Sequence, residues 1–160
     1  MLKHILLSLI FLTPASVTNA IYTDEQYRHD QIVCLAKNIY FEGRGEPLVG
    51  RIAIGQVVLN RAKNKQFPQT ICGVVFQAKY HNMTPIYKQC QFSWWCDGKK
   101  EEINSKEDFE KSYELASLLY NGQIMDITEG ALFYHATQSN PYWASHKERL
   151  LAIENHVFYK

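Results

Sequence analysis

Glu42 lies in the stretch "NIYFEGRGEP", residues 38–47, after the aromatic pair Tyr40-Phe41 and before Gly43-Arg44-Gly45. A glutamate among apolar rings is penalised for ionising, so its carboxyl keeps a proton nearer neutral pH than an ordinary one does. That is the property needed to protonate a poor leaving group such as the oxygen linking two sugars. The flanking glycines leave room for a bulky chain to approach. The plainer alternative is a surface carboxylate at a helix end, with Arg44 as its solvated partner.

Two further clusters suit sugar binding. In "CQFSWWCDG", residues 90–98, Phe92, Trp94 and Trp95 alternate with Gln91, Ser93 and Asp97. Rings edged by amides and hydroxyls match the flat CH faces and surrounding hydroxyls of a sugar. If the segment is a strand, its side chains alternate and at least one of Trp94 and Trp95 points inward. In "LFYHATQSNPYW", residues 132–143, Tyr134 and His135 can line a groove wall, and Tyr142 with Trp143 can add a platform. A lone histidine on a strand is more often a hydrogen-bonded structural residue than an acid or base. His29, His81, His146 and His156 lack metal-ligand spacing, and there is no Cys-x-x-Cys pair, which argues against zinc.

The elements that must hold these residues are mostly helical. Residues 24–42 read as a helix with Ile32, Leu35, Ala36 and Ile39 on one face, capped at Asp24 or Asp30 and stopped by Gly43 and Gly45. A second helix runs from Pro47 to about Lys65 and is apolar nearly all round, as a central buried helix would be. Gly55 within it implies that another element packs close by. Glu42 thus sits on a turn gripped by a helix on each side. A short helix follows Pro68, with Thr70 as its cap, and residues 78–104 read as loop and hairpin. "SKEDFEKSYELASLLYNG" is a helix opened by Ser105 and Asp108 and ended by Gly122. "ALFYHA" and "HVFY" read as strands, with "NPYW" a turn between them.

The first 20 residues read as an export leader: Lys3 and His4, the short apolar run "ILLSLIFL", and a small-residue pattern ending at Ala20. Residues 21–160 then form one domain, with no later segment apolar enough to span a membrane. Of 17 basic residues, all but Lys3 remain beyond the leader, balancing 16 acidic ones. Charge neutrality argues against a nucleic-acid protein. Cys34, Cys72, Cys90 and Cys96 form an even set, which in an exported chain implies disulfides in one of three connectivities. Cys90 and Cys96 can close a small loop, leaving Cys34 with Cys72.

"CLAKNIYFEGRGEPLVGRIAIGQVVLNR", "FPQTICGVV", "CQFSWWCDG", "ALFYHA" and the closing "HVFYK" resemble, in order, the blocks of the SleB-type cell wall hydrolases, over about residues 32–160. The resemblance implies a mainly α (α+β), lysozyme-like or goose-type single domain with a small β element. It further implies a monomeric enzyme in the periplasm or cell wall, acting on peptidoglycan glycan strands without metal or cofactor. The family's acid, the first glutamate of a Glu-Ala-Arg-Gly-Glu motif, corresponds to Glu42, with Gly43 in place of alanine. Glu46, the second glutamate, reads as a charge complementing a helix N-terminus. The candidate substrate-binding residues, read from their rings, amides and hydroxyls, are Gln91, Phe92, Ser93, Trp94, Tyr134 and His135. Asp97 and Glu129 are the candidates for a second acid. Lacking one, the muramic acid C6 hydroxyl attacks its own anomeric carbon, as in a lytic transglycosylase. The rival from another class is a non-catalytic wall-binding module that uses the same aromatic groove.

Overall fold

The computed structural model describes the backbone of residues 15–160 and the side chains from residue 23 onward. The leader expected over residues 1–20 lies outside the described residues, apart from the backbone of residues 15–20. Those residues belong to helix α1, Ala15–Glu42, which begins nine residues before Asp24. Neither proline nor glycine occurs between Ala15 and Glu42, so nothing local stops the helix at Asp24 or Asp30. It ends where Gly43 N–H bonds to the Ile39 carbonyl and Gly45 takes φ +78°, a conformation that costs glycine little.

Helix α2, Leu48–Lys63, is the centre of the domain, with Ala53, Ile54, Val57 and Val58 fully buried. Gly55 is the point of closest approach. A Cβ there would come within 2.7 Å of Leu119 and 3.0 Å of Ile39, from helices on two sides. Those neighbours are α1 and α4, Lys106–Tyr120, which also pack on each other. Helix α4 opens with Ser105 accepting from the Asp108 N–H at 3.2 Å and is followed by Gly122 at φ +69°. The short α3, Ile71–Val75, is capped by Thr70 and tied to α1 by the Cys34–Cys72 disulfide.

The β structure is in two pieces. Strands β1, Ala78–His81, and β2, Thr84–Cys90, form a hairpin turning at Asn82 and Met83, both with positive φ. The segment after it is not a strand but a single 3₁₀ turn, Ser93–Cys96, closed onto β2 by the Cys90–Cys96 disulfide. A six-residue loop bridged at its ends cannot remain extended. The second sheet has antiparallel order β3-β5-β4, with β3 Phe133–Ala136, β4 Arg149–Ile153 and β5 His156–Tyr159. β4, "RLLAI", lacks the apolar-polar alternation that would have marked it. "NPYW" leads into a 3₁₀ turn, Tyr142–His146.

One face of this sheet packs on α2, where Phe158 meets Ala53 and Val57. The other face carries Val157 and Tyr159 against Phe133, Trp143 and Ala144. The domain is therefore mainly helical with small sheets, and among the described residues no helix is long and apolar enough to cross a membrane.

Candidate active site

Glu42 is the last residue of α1, and its partly buried carboxyl lines a groove of about 430 Å³. Phe41, Ser93, Trp94, Asp97 and Arg44 share that groove, with Lys99 to Glu102 and Asn104 along its rim. Phe41 stacks on Trp94 with ring centroids 4.7 Å apart. Trp94 is held from behind by its indole N–H, which donates to buried Asn38 at 3.1 Å. Tyr40 turns away, its hydroxyl accepting from the Asn104 and Ser105 amides at 3.1 and 3.2 Å. Arg44 lies over the rings of Tyr40 and Phe41 at 5.1 and 5.7 Å.

Behind the carboxyl stand two polar groups, Tyr134, partly buried, and Arg61, buried. The Tyr134 hydroxyl donates to Glu42 Oε2 at 3.1 Å. Arg61, 3% exposed, donates through Nε to the Leu132 carbonyl at 2.6 Å, and its guanidinium sits among the rings of Phe67, Phe92 and Phe133. Burial pushes the Glu42 carboxyl above the usual carboxylate range, and this outweighs the Tyr134 hydrogen bond and the Arg61 charge, which favour ionisation. Burial also lowers the Arg61 guanidinium to about 10, leaving it charged at neutral pH. Tyr134 is raised well above its ordinary value, first by burial and then by the adjacent carboxyl. The arrangement supplies a carboxyl with an upward-shifted pKa, steadied from behind, at the side of an open groove with an aromatic wall.

The other expected site residues divide. Ser93 lines the groove, and Trp94 offers it one edge. Gln91 lies beside the cluster rather than in the groove, its side-chain amide facing both terminal nitrogens of Arg61 at 3.2 Å. Phe92, expected to meet sugar, is 3% exposed and forms the floor under Arg61. His135 is on the far face of the sheet from Tyr134, because successive strand residues point opposite ways. Its ring stacks on Tyr159, and both nitrogens are engaged, Nδ1 with the Ala136 carbonyl and Nε2 with the Tyr159 hydroxyl, each at 2.9 Å. Glu129 is exposed in a turn at φ +56°, away from the groove, whereas Asp97 lines it.

Glu46 does more than face a helix end. Its side chain is 8% exposed, takes a 3.0 Å hydrogen bond from Asn155, and lies 3.7 Å from His156. Burial lowers the pKa of that histidine, while the Glu46 carboxylate opposes the shift. The His156 ring meets Tyr134 edge-on at 5.3 Å. Sequence reasoning missed Arg61, Asn60 and Gln56, although polar residues inside an otherwise apolar helix were a usable signal. Asn60 donates to Asp126, Thr128 and the Ala131 carbonyl, and Gln56 bonds Met125 and Ile127, so α2 fastens the loop that feeds β3 and Tyr134.

The cell wall hydrolase family model matches residues 45–159. The chain belongs to this family. The matched segment covers α2 through β5 and starts three residues after Glu42, so the acid lies just outside it. Two solved structures share the fold: the catalytic domain of the Bacillus cereus SleB protein, and that of the germination-specific lytic transglycosylase SleB from Bacillus anthracis. The TM-scores are 0.60 and 0.61, each at 29% identity over 81% of this chain and 89% and 93% of theirs. Among curated relatives, the spore cortex-lytic enzyme of Bacillus cereus is 40% identical over 53 residues, or 33% of this chain and 20% of that protein. That of Halalkalibacterium halodurans is 36% identical over 63 residues, 39% of this chain and 19% of that protein. The aligned part thus spans about a fifth of the length of these relatives.

Proposed function

We propose that this member of the cell wall hydrolase family cleaves the β-1,4 bond between N-acetylmuramic acid and N-acetylglucosamine in peptidoglycan, as a lytic transglycosylase. The observation that carries the reading is the partly buried Glu42 carboxyl, its pKa raised by desolvation, at an aromatic-walled groove. Glu42 donates its proton to the bridging oxygen as the bond to the muramic C1 breaks, and the N-acetylglucosamine hydroxyl leaves. The carboxylate then takes the proton of the muramic C6 hydroxyl as that oxygen bonds to C1, giving a 1,6-anhydro end and restoring the acid without consuming water. Arg61 and Tyr134 steady the carboxylate between the two transfers. The likeness to a lytic transglycosylase domain at 29% identity supports this route.

A second reading, plain hydrolysis, is favoured by one feature: Asp97 lines the same groove as Glu42 and could serve as nucleophile or as base for a water. Its Oδ1, however, accepts from the Lys99 amide at 2.8 Å as part of a turn. Mass spectrometry of soluble fragments released from purified peptidoglycan separates the routes. Anhydro ends are expected; reducing ends alone, lost in Asp97→Asn, would establish hydrolysis instead. Binding to insoluble wall with no soluble product, with or without Glu42, would show a binding module. We further propose residues 1–20 as a cleaved leader and residues 21–160 as the catalytic domain of an exported protein, in keeping with its two disulfides. A mature N-terminus at Ile21 is the expected sequencing result.

A further inference from the structure

Across Arg44 from the acid lies a second concavity of about 450 Å³, within the range of roughly 300–1,000 Å³ typical of ligand sites. Arg44 and Asn104 line both, so one side chain and one loop residue divide a continuous surface. The chemistry differs on the two sides. The first has an aromatic wall, Phe41 and Trp94, beneath a charged rim of Lys99, Lys100, Glu101 and Glu102; the second, beside Tyr40, gathers two guanidinium groups, Arg44 and Arg51, and two carboxyls, Glu46 and Asp108, together with Ser105. Its wall includes the first turn of α4, whose backbone dipole adds partial positive charge near Ser105. The Glu46 side chain is 8% exposed and fixed in place, its Oε1 accepting from Asn155 at 3.0 Å and its Oε2 facing His156 Nδ1 at 3.7 Å, so it contributes a held negative charge at the edge of the cavity.

Where a stem is attached, the lactyl carboxyl is tied up as an amide and the sugars themselves carry no charge to meet such a lining; with the stem removed they carry a single lactyl carboxylate and no amine. In peptidoglycan the charged groups belong to the peptide stem on the muramic lactyl group, which bears carboxylates and free amine close together. Paired charges of both signs discriminate such a zwitterion from a sugar bearing only a lactyl carboxylate, because that occupant leaves the carboxyls of the site unmatched. The geometry points to this second concavity as the site for the peptide stem on the muramic acid whose bond Glu42 protonates, an inference that rests on the glycan-cleaving reading above. The enzyme is then selective for peptide-bearing strands, and Arg44 separates sugar from peptide.

The test compares initial rates on peptide-bearing strands with rates on the same strands stripped of stems by an amidase. The expected result is a kcat/KM about tenfold higher on the peptide-bearing strands, falling toward parity in Asp108→Asn, which removes one charge-assisted contact. A parallel NMR titration of the wild type uses a synthetic muramyl tripeptide with a free side-chain amine, set against N-acetylmuramic acid. The amides of residues 105–108 should shift only with the tripeptide. Equal rates on both strands, with Glu42→Gln inactive on each, overturn the stem site and leave the glycan reading standing. A tripeptide that leaves residues 105–108 unmoved does the same. A wild type that releases nothing from either strand overturns both.

Discussion

Glu42 combines opposing influences in a way that makes its titration measurable. Burial raises its pKa, while Tyr134 and Arg61 pull it down. Glu42→Gln keeps the shape and removes the proton, and release of soluble wall fragments should fall by about 10²–10⁴-fold or more. Because the folded pKa lies above the unfolded one, the native state holds more protons between the two, and wild-type stability declines as pH rises through that window. Melting temperatures across the window should therefore fall less in Glu42→Gln; parallel curves would mean the carboxyl is not desolvated. Tyr134→Phe deletes a hydrogen bond that favours the ionised form, so the alkaline limb of the pH–rate profile should move to higher pH. An unmoved limb would separate Tyr134 from the acid. Glu42 was proposed from the sequence on its aromatic neighbours and on its place in the family motif. The burial of Phe92 and the outward side of His135 were not legible there, since residue type says nothing about which face a side chain takes.

Helix α2 is the element that fixes the site. Gln56, Asn60 and Arg61 bond Met125, Asp126, Thr128, Ala131 and Leu132, which sets the path into β3. The loop is also self-braced. Burial alone would raise the Asp126 carboxyl, but hydrogen bonds from Thr128, Asn60 and Gly130 outweigh it and hold the pKa below its usual value. Asn60→Ala should cost about 1–3 kcal/mol in urea unfolding, because it strips partners from that loop. Gly55→Ala places a methyl within 2.7 Å of Leu119 and should destabilise by a similar 1–3 kcal/mol through overpacking. A neutral or stabilising outcome there would show that α4 can slide. Helices α2 and α4 and the C-terminal end of α1 were readable because caps, glycines and apolar spacing act within a few residues. The cap expected at Asp24 or Asp30 instead lies inside α1. β4 was not readable: its pairing with β5 depends on a partner strand rather than on its own pattern.

At the scale of the whole molecule, the two disulfides pin different parts. Cys34–Cys72 spans 38 residues and joins α1 to α3; Cys90–Cys96 spans six and locks the turn carrying Trp94 and Trp95. Loop-closure entropy gives about 4 kcal/mol for the first and about 2 kcal/mol for the second. The Cys34→Ser/Cys72→Ser double variant should therefore lose more unfolding free energy than the Cys90→Ser/Cys96→Ser variant. The latter should instead lose affinity for glycan, since Ser93 and Trp94 form part of the groove. The reverse order would mean that strain or residual structure, not chain entropy, sets their worth.

The amino-acid sequence by itself determined the helical framework and the pairing-capable cysteines and offered Glu42 as the candidate acid, because helical periodicity, capping, turn chemistry and a short motif all act between near neighbours. Only the tertiary structure decided what surrounds that acid. Tyr134 is 92 positions away in the chain and Arg61 lies on a different helix, and they reach Glu42 because α2 and the three-stranded sheet close on one another. Strand alternation then sends Tyr134 inward and His135 outward, a choice made by which face of the sheet is buried.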